Sequence, residues 1–175
     1  MNETAHPKLR IRAARVDDAP ILWAAERETA RVPGRLISQP HELHEAAFAQ
    51  KITELADGSY LVAERDGIVV GHALLDHASP LVALAHVRSL TIVVHPAYAG
   101  QGIGTALLHA LLDWARATAS VERVELRVRA TNAAAIGLYT KCGFVEESRF
   151  RKRIRLADGS CIDDIGMTWF VERLS

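Results

Sequence analysis

The stretch "HPAYAGQGIGTALLHALLDWA", His95 to Ala115, decides the fold. It follows the β-branched run "HVRSLTIVV", and Pro96 ends that strand while biasing His95 toward an extended backbone. Gly100, Gly102 and Gly104 then occupy alternate positions, and behind them Ile103, Leu107, Ala110, Leu111 and Trp114 recur at helical spacing. A strand passing through glycines into a helix leaves amides free in the first turn, where the helix dipole also favours negative charge. Such a turn fits a phosphate. It is not a nucleotide P-loop, because Thr105 and Ala106 follow Gly104 where Lys-Ser/Thr would be needed. The dinucleotide fingerprint fits poorly too, since Thr105 or Leu107 stands where it wants a small residue.

Upstream, "KLRIRAA" alternates Leu9, Ile11 and Ala13 with charged residues and predicts a first strand. A helix follows, with Asp17 or Asp18 as N-cap, Pro20 in its first turn and Ile21, Leu22, Ala24 and Ala25 as its apolar stripe. Pro33 and Gly34 break it. A second helix starts with Ser38 near its cap, turns Leu43, Ala47, Ile52 and Leu55 inward, and ends at Asp57-Gly58. Two β-rich runs then flank Asp66-Gly67, the dipeptide that supplies positive φ to a tight hairpin.

Downstream, Val124, Leu126 and Val128 alternate with Arg123, Glu125, Arg127 and Arg129 in a strand. "NAAAIGLYTKCGF" is a short helix capped by Asn132, with Ala135, Ile136 and Tyr139 inward and Gly143 as its stop. The run "SRFRKRIR" at 148–155 alternates Arg149, Arg151, Arg153 and Arg155 with Phe150, Lys152 and Ile154, a strand with a charged outer face rather than an RNA patch. Asp158-Gly159 turns a last hairpin. The order is β α α β β β α β α β β: one mixed α/β domain over 1–175, its sheet mostly antiparallel and flanked by helices.

Composition bounds the partners. Lys plus Arg and Asp plus Glu both number 21, so no positive field invites nucleic acid. No apolar run spans a bilayer, and the start "MNETAHPKLRIRAA" lacks an apolar core and cleavage site, which predicts a cytoplasmic protein with no membrane partner. Cys142 and Cys161 form neither a disulfide framework nor a zinc site, so no metal is expected and both are expected reduced in the core.

Two motifs together carry a resemblance: "V-x-P-x-x-x-G-x-G-I-G" at Val94–Gly104 and "N-x-x-A-I-x-L-Y-x-K-x-G-F" at Asn132–Phe144. The pair resembles the GNAT superfamily of N-acetyltransferases, most of all the bacterial members acting on small amines and amino acids. The resemblance extends over nearly the whole chain. It implies acetyl-CoA as cosubstrate, its pyrophosphate on the amides of Gly100, Gln101, Gly102, Ile103, Gly104 and Thr105. It implies that the strand segment Ile92, Val93 and Val94 pairs with the pantetheine arm, and that Asn132 touches the cofactor. Tyr139 is then a cofactor contact and the general acid for the departing thiolate. One departure is Ala99, where the family usually carries Gln or Arg, so a side-chain contact to phosphate is either missing or supplied by Gln101.

The family often has a Glu on the strand that here reads Arg88, Ser89, Leu90, so the base must come from elsewhere. The candidates are His86, Glu28, or a water chain with no single base. The acceptor pocket is expected from residues 26–38, from His72 to Asp76, and from Asp163 and Asp164, the last two serving equally well as a charged strand edge. The implied reaction is acetyl transfer from acetyl-CoA to a primary amine of a small molecule by direct attack. The alternatives are acetylation of protein N-termini, or a non-catalytic acyl-CoA sensor. Members of the family often pair, which leaves a homodimer open, with Ile165, Met167, Trp169 and Phe170 serving either interface or core.

Overall fold

The computed structural model describes residues 9–172. Residues 1–8, on which the expectation of no secretory leader rests, lie outside them. Seven strands and four α-helices follow in the predicted order: β1 Leu9–Ala13, α1 Ala19–Arg31, α2 Glu45–Glu54, β2 Tyr60–Arg65, β3 Ile68–His77, β4 Val87–Val94, α3 Ile103–Ala117, β5 Arg123–Arg129, α4 Ala133–Lys141, β6 Val145–Arg155 and β7 Cys161–Phe170. The sheet order is β1-β2-β3-β4-β5-β7-β6. No described helix is long and apolar enough to cross a membrane. The described residues gather into two compact units: 9–74 with Ile92–Leu111, and Leu75–Thr91 with 112–172.

In the first unit β2 pairs antiparallel with β1 and with β3. Asp66 at φ 52° and Gly67 at φ 81° make the predicted tight turn. Asp18 occupies the N-cap position of α1, as expected, but its side chain makes no cap bond to the helix. Its carboxylate instead accepts the Arg12 guanidinium through both oxygens at 2.8 and 2.9 Å, while Arg12 Nε donates to Glu64 at 2.9 Å. Oδ2 also accepts the Arg15 amide at 2.7 Å, so the carboxylate serves the turn ahead of the helix rather than the helix itself. Of the expected stripe on α1, Leu22 is buried, whereas Ile21 and Ala24 face outward; Ala19 and Thr29 complete the inner face. On α2 the inward residues are Phe48 and Ile52 rather than Ala47, and Ser38 lies ahead of the helix, separated from it by a 3-10 turn at Pro40–Glu42. The core of this unit is Ala19, Leu22, Phe48, Ile52, Leu55, Tyr60, Val62, Val69 and Leu74.

In the second unit β4 runs parallel to β5 over Val87–Ser89, β5 antiparallel to β7, and β7 antiparallel to β6. Val124, Leu126 and Val128 are buried as their alternation predicts, and Ile165, Met167 and Trp169 join them in the core while Phe170 is exposed. The period of two along β6 breaks at Lys152, whose φ of 52° opens a bulge between Phe150 and Ile154. Both cysteines are free thiols, half-buried rather than in the core.

Candidate functional site

The glycine turn lies in the first unit, between β4 and α3. Gly100 at φ 75° and Gly102 at φ 78° hold left-handed backbone, and a Cβ built on either meets no atom within 4 Å. Among the described residues the N–H groups of 100–105 donate to no backbone carbonyl; the first such bond of α3 runs from Ala106 N to Gly102 O at 3.0 Å. Six adjacent amides at an unobstructed helix mouth form a cradle that a pyrophosphate fits.

A guanidinium stands at the turn in spite of Ala99. Arg65, the last residue of β2, donates Nη1 to Gln101 Oε1, and Gln101 Nε2 reaches Ala97 O at 3.4 Å. Arg65 Nε is buried without a hydrogen-bond partner. Gln101 therefore holds a guanidinium against the turn. No local sequence signal foretold this pairing, since 36 residues separate the two.

A third glycine shapes the same region. A Cβ on Gly71 of β3 would stand 3.0 Å from Val93 O, 3.3 Å from Val94 Cα and 3.4 Å from Ile103 Cγ2. Only a bare backbone lets β3 pass this close to the end of β4 and the start of α3. His95 N donates to Val70 O at 3.0 Å just beyond.

The same unit holds a cluster of titratable groups. His72, 2% exposed, shares a 3.0 Å hydrogen bond between its Nδ1 and the Tyr60 hydroxyl, and its ring stacks on Tyr60 at 5.7 Å. Its Nε2 has no hydrogen-bond partner and stands 3.9 Å from Glu26 Oε1. Burial, with a smaller push from His95, lowers the imidazole to about 3, so it is neutral. Burial raises the Glu26 carboxyl to about 7. The Tyr60 phenol is pushed up by burial first, then by Glu26 and Asp18. His95, its Nε2 buried and unpartnered, is lowered by burial against an opposing pull from Glu28. Glu28 itself is exposed. The sequence signal for Glu26 was its place on the buried face of α1, between Leu22 and Thr29. His72 sits in the continuous buried run Val69–Leu75.

The remaining candidates lie in the second unit. Tyr139 on α4 is half-buried, its ring 5.7 Å from Phe144, and its hydroxyl has no hydrogen bond among the described residues. Burial pushes its phenol up to about 12. Asn132 caps α4, its side chain accepting from Ala135 N at 3.2 Å. His86 stands just before the first residue of β4, whereas the glycine turn follows the last. Its neighbours around a shallow pocket are Glu122, Arg123, Phe170 and Val171. The Arg88 guanidinium, in the strand region where a carboxylate was sought, is buried and meets His77 Nε2 at 2.8 Å. Asp164 meets Arg153 at 3.2 Å and Arg127 at 3.8 Å, and Asp163 accepts from Lys152 N at 2.9 Å. These two carboxylates are engaged with the neighbouring strands β5 and β6, and because β7 lies inside the sheet they do not form the charged edge expected of them.

The model of the acetyltransferase (GNAT) family matches residues 19–144. A phosphinothricin N-acetyltransferase from Alcaligenes faecalis is 29% identical, the match covering 94% of this chain and 84% of that protein. The N-alpha-acetyltransferase RimI of Mycobacterium tuberculosis is 36% identical over 64% of this chain and 67% of its own length. In fold, the chain superposes with a TM-score of 0.84 and 20% identity on a phosphinothricin acetyltransferase from Sinorhizobium meliloti solved with acetyl-CoA, covering 93% of this chain and 88% of that one. The chain belongs to the GNAT acetyltransferase family. It is an acetyl-CoA-dependent N-acetyltransferase.

Proposed function

We propose that the chain transfers acetyl from acetyl-CoA to the primary amine of a small molecule of the amino-acid or polyamine kind, by direct attack. The observation that carries the acceptor class is the length of the likeness to phosphinothricin N-acetyltransferase, 94% of the chain. The roles follow from chemistry. The amides of Gly100, Gln101, Gly102, Ile103, Gly104 and Thr105 hold the pyrophosphate, and Arg65 adds the cation that Ala99 does not. The main chain of Ile92–Val94 orients the pantetheine arm, and Asn132 contributes a cofactor contact beside its cap. Tyr139 protonates the departing thiolate: a phenol held at about 12 stays protonated at neutral pH, and its hydroxyl is not committed to another partner.

The likeness to RimI favours a second reading, acetylation of a peptide N-terminus. Thiol release from acetyl-CoA, measured across amino acids, polyamines, aminoglycosides and short peptides, separates the two. Turnover of free amines with silence on peptides is expected. Turnover of peptides alone overturns the small-molecule reading.

A further inference from the structure

The acceptor amine arrives protonated, and β4 offers no carboxylate to take its proton. We propose that Glu26 is that base, with His72 and Tyr60 behind it as positioning residues. This rests on the N-acetyltransferase reading above.

Three observations carry it. The Glu26 side chain is only 12% exposed, yet among the described residues neither lysine nor arginine pairs with it. An ionised carboxylate in such a place is costly unless a cation meets it, and an ammonium substrate is such a cation. Next, His72 is buried to 2% exposure with an Nε2 that nothing in the fold satisfies. With the Tyr60 hydroxyl donating to Nδ1, the ring proton belongs on Nε2, aimed at Glu26 Oε1 from 3.9 Å. That distance is too long for a formed hydrogen bond. It closes by a small rotation when Glu26 needs orienting, so the donor steadies the carboxylate without consuming it. Finally, the cluster shares one compact unit with the glycine turn and with the end of β4.

The groups facing Glu26 from neighbouring elements are His72 of β3 and Tyr60 of β2. His95, past β4, acts on His72, and Asp18, ahead of α1, acts on Tyr60. On α1 itself Glu28 is exposed and acts on His95. With its carboxyl raised to about 7, Glu26 is poised to accept and release a proton near neutrality.

The step balances as follows. The acceptor's ammonium gives one proton to the Glu26 carboxylate. Its freed lone pair bonds to the acetyl carbonyl carbon, and the carbon–sulfur bond breaks with its electron pair on sulfur. The sulfur takes up a proton, the nitrogen loses its second, and Glu26 returns the first to solvent. The sum is amide, free thiol and one proton.

The test is the pH profile of kcat/KM for Glu26→Gln and wild type with an acceptor from the panel above. Wild type should lose activity tenfold per pH unit below about 7. Glu26→Gln should fall about 100-fold at neutral pH and recover in alkali as the free amine becomes abundant, with KM for acetyl-CoA unchanged. Glu26→Asp should recover part of the rate. His72→Gln should move the acid limb, which a merely structural role would not do. Wild-type rates and an unchanged limb in Glu26→Gln overturn the proposal. Silence of wild type on every acceptor would sink the functional reading instead. Carbon-13 NMR of the glutamate carboxylates then decides: a resonance titrating near 7, absent in Glu26→Gln and shifted by n-butylammonium, supports Glu26, and no shift overturns it.

Discussion

Replacing Gly71 by alanine puts a methyl carbon 3.0 Å from Val93 O and 3.3 Å from Val94 Cα. Both are backbone atoms at the end of β4, so neither can swing aside as a side-chain tip would. The third neighbour, Ile103 Cγ2 at 3.4 Å, belongs to a residue buried at the start of α3 and has little room to yield. Comfortable carbon contacts begin near 3.5 Å, so β4 must shift by a few tenths of an ångström. Overpacking of this kind costs about 1–3 kcal/mol. At about 2–4 °C per kcal/mol for a chain of this size, Tm should fall by roughly 2–12 °C. Because the displaced carbonyl belongs to the segment proposed to pair with the pantetheine arm, KM for acetyl-CoA should rise several-fold while KM for the amine holds. Thermal unfolding by circular dichroism and thiol release at varied acetyl-CoA measure the two effects. A Tm within about 1 °C of wild type together with an unchanged KM would refute the reasoning.

Tyr139→Phe should lower kcat by about 10²–10⁴ and leave the calorimetric affinity for CoA nearly unchanged; unaltered turnover removes Tyr139 as the acid. Its phenol, raised to about 12, implies no alkaline limb from this group up to about pH 10, which the same rate profile checks. Gly102→Val should strain a left-handed position by about 1–2 kcal/mol and block the phosphate approach, so that KM for acetyl-CoA rises more than stability falls. The Glu26 carboxyl, raised from 4.5 to about 7, contributes stability that is full below its unfolded value and lost as pH climbs through 7. Glu26→Gln should therefore match wild type at pH 4 and exceed it by about 3 kcal/mol at pH 8, read from urea unfolding at the two pH values.

The element order was legible because periodicity and punctuation agreed: alternation in β5, Asp66-Gly67 at the hairpin, helical spacing after Gly102. Departures arose where a distant partner outbid a local preference. Asp18 stands at the N-cap of α1, but Arg12 reaches it across the β1–α1 corner, and its carboxylate bonds Arg12 and the Arg15 amide instead of the helix. Phe48 turns inward instead of Ala47 because it stands four residues before buried Ile52, on the same helical face, whereas Ala47 is five before it. Lys152 breaks the rhythm of β6 through a bulge that pattern cannot register. In the candidate site, the glycine cradle was visible since its amides are consecutive. Arg65 was not singled out, and Glu26 and His72 entered only as the first residues of ranges expected to line the acceptor pocket, because strand pairing and helix packing, not spacing, bring them to the glycine turn or to one another.

Arg65 is followed at once by the two left-handed residues of the β2–β3 turn. The cation that meets Gln101 thus has the shortest tether a hairpin allows, sitting on the last residue before the chain reverses. A loop one or two residues longer would leave β2 paired with β3 and yet swing the guanidinium off the glycine turn. On the role proposed for Arg65, loop length at this corner would then set the affinity for acetyl-CoA. Exchanging hairpins between relatives would transfer or erase it without altering a single glycine.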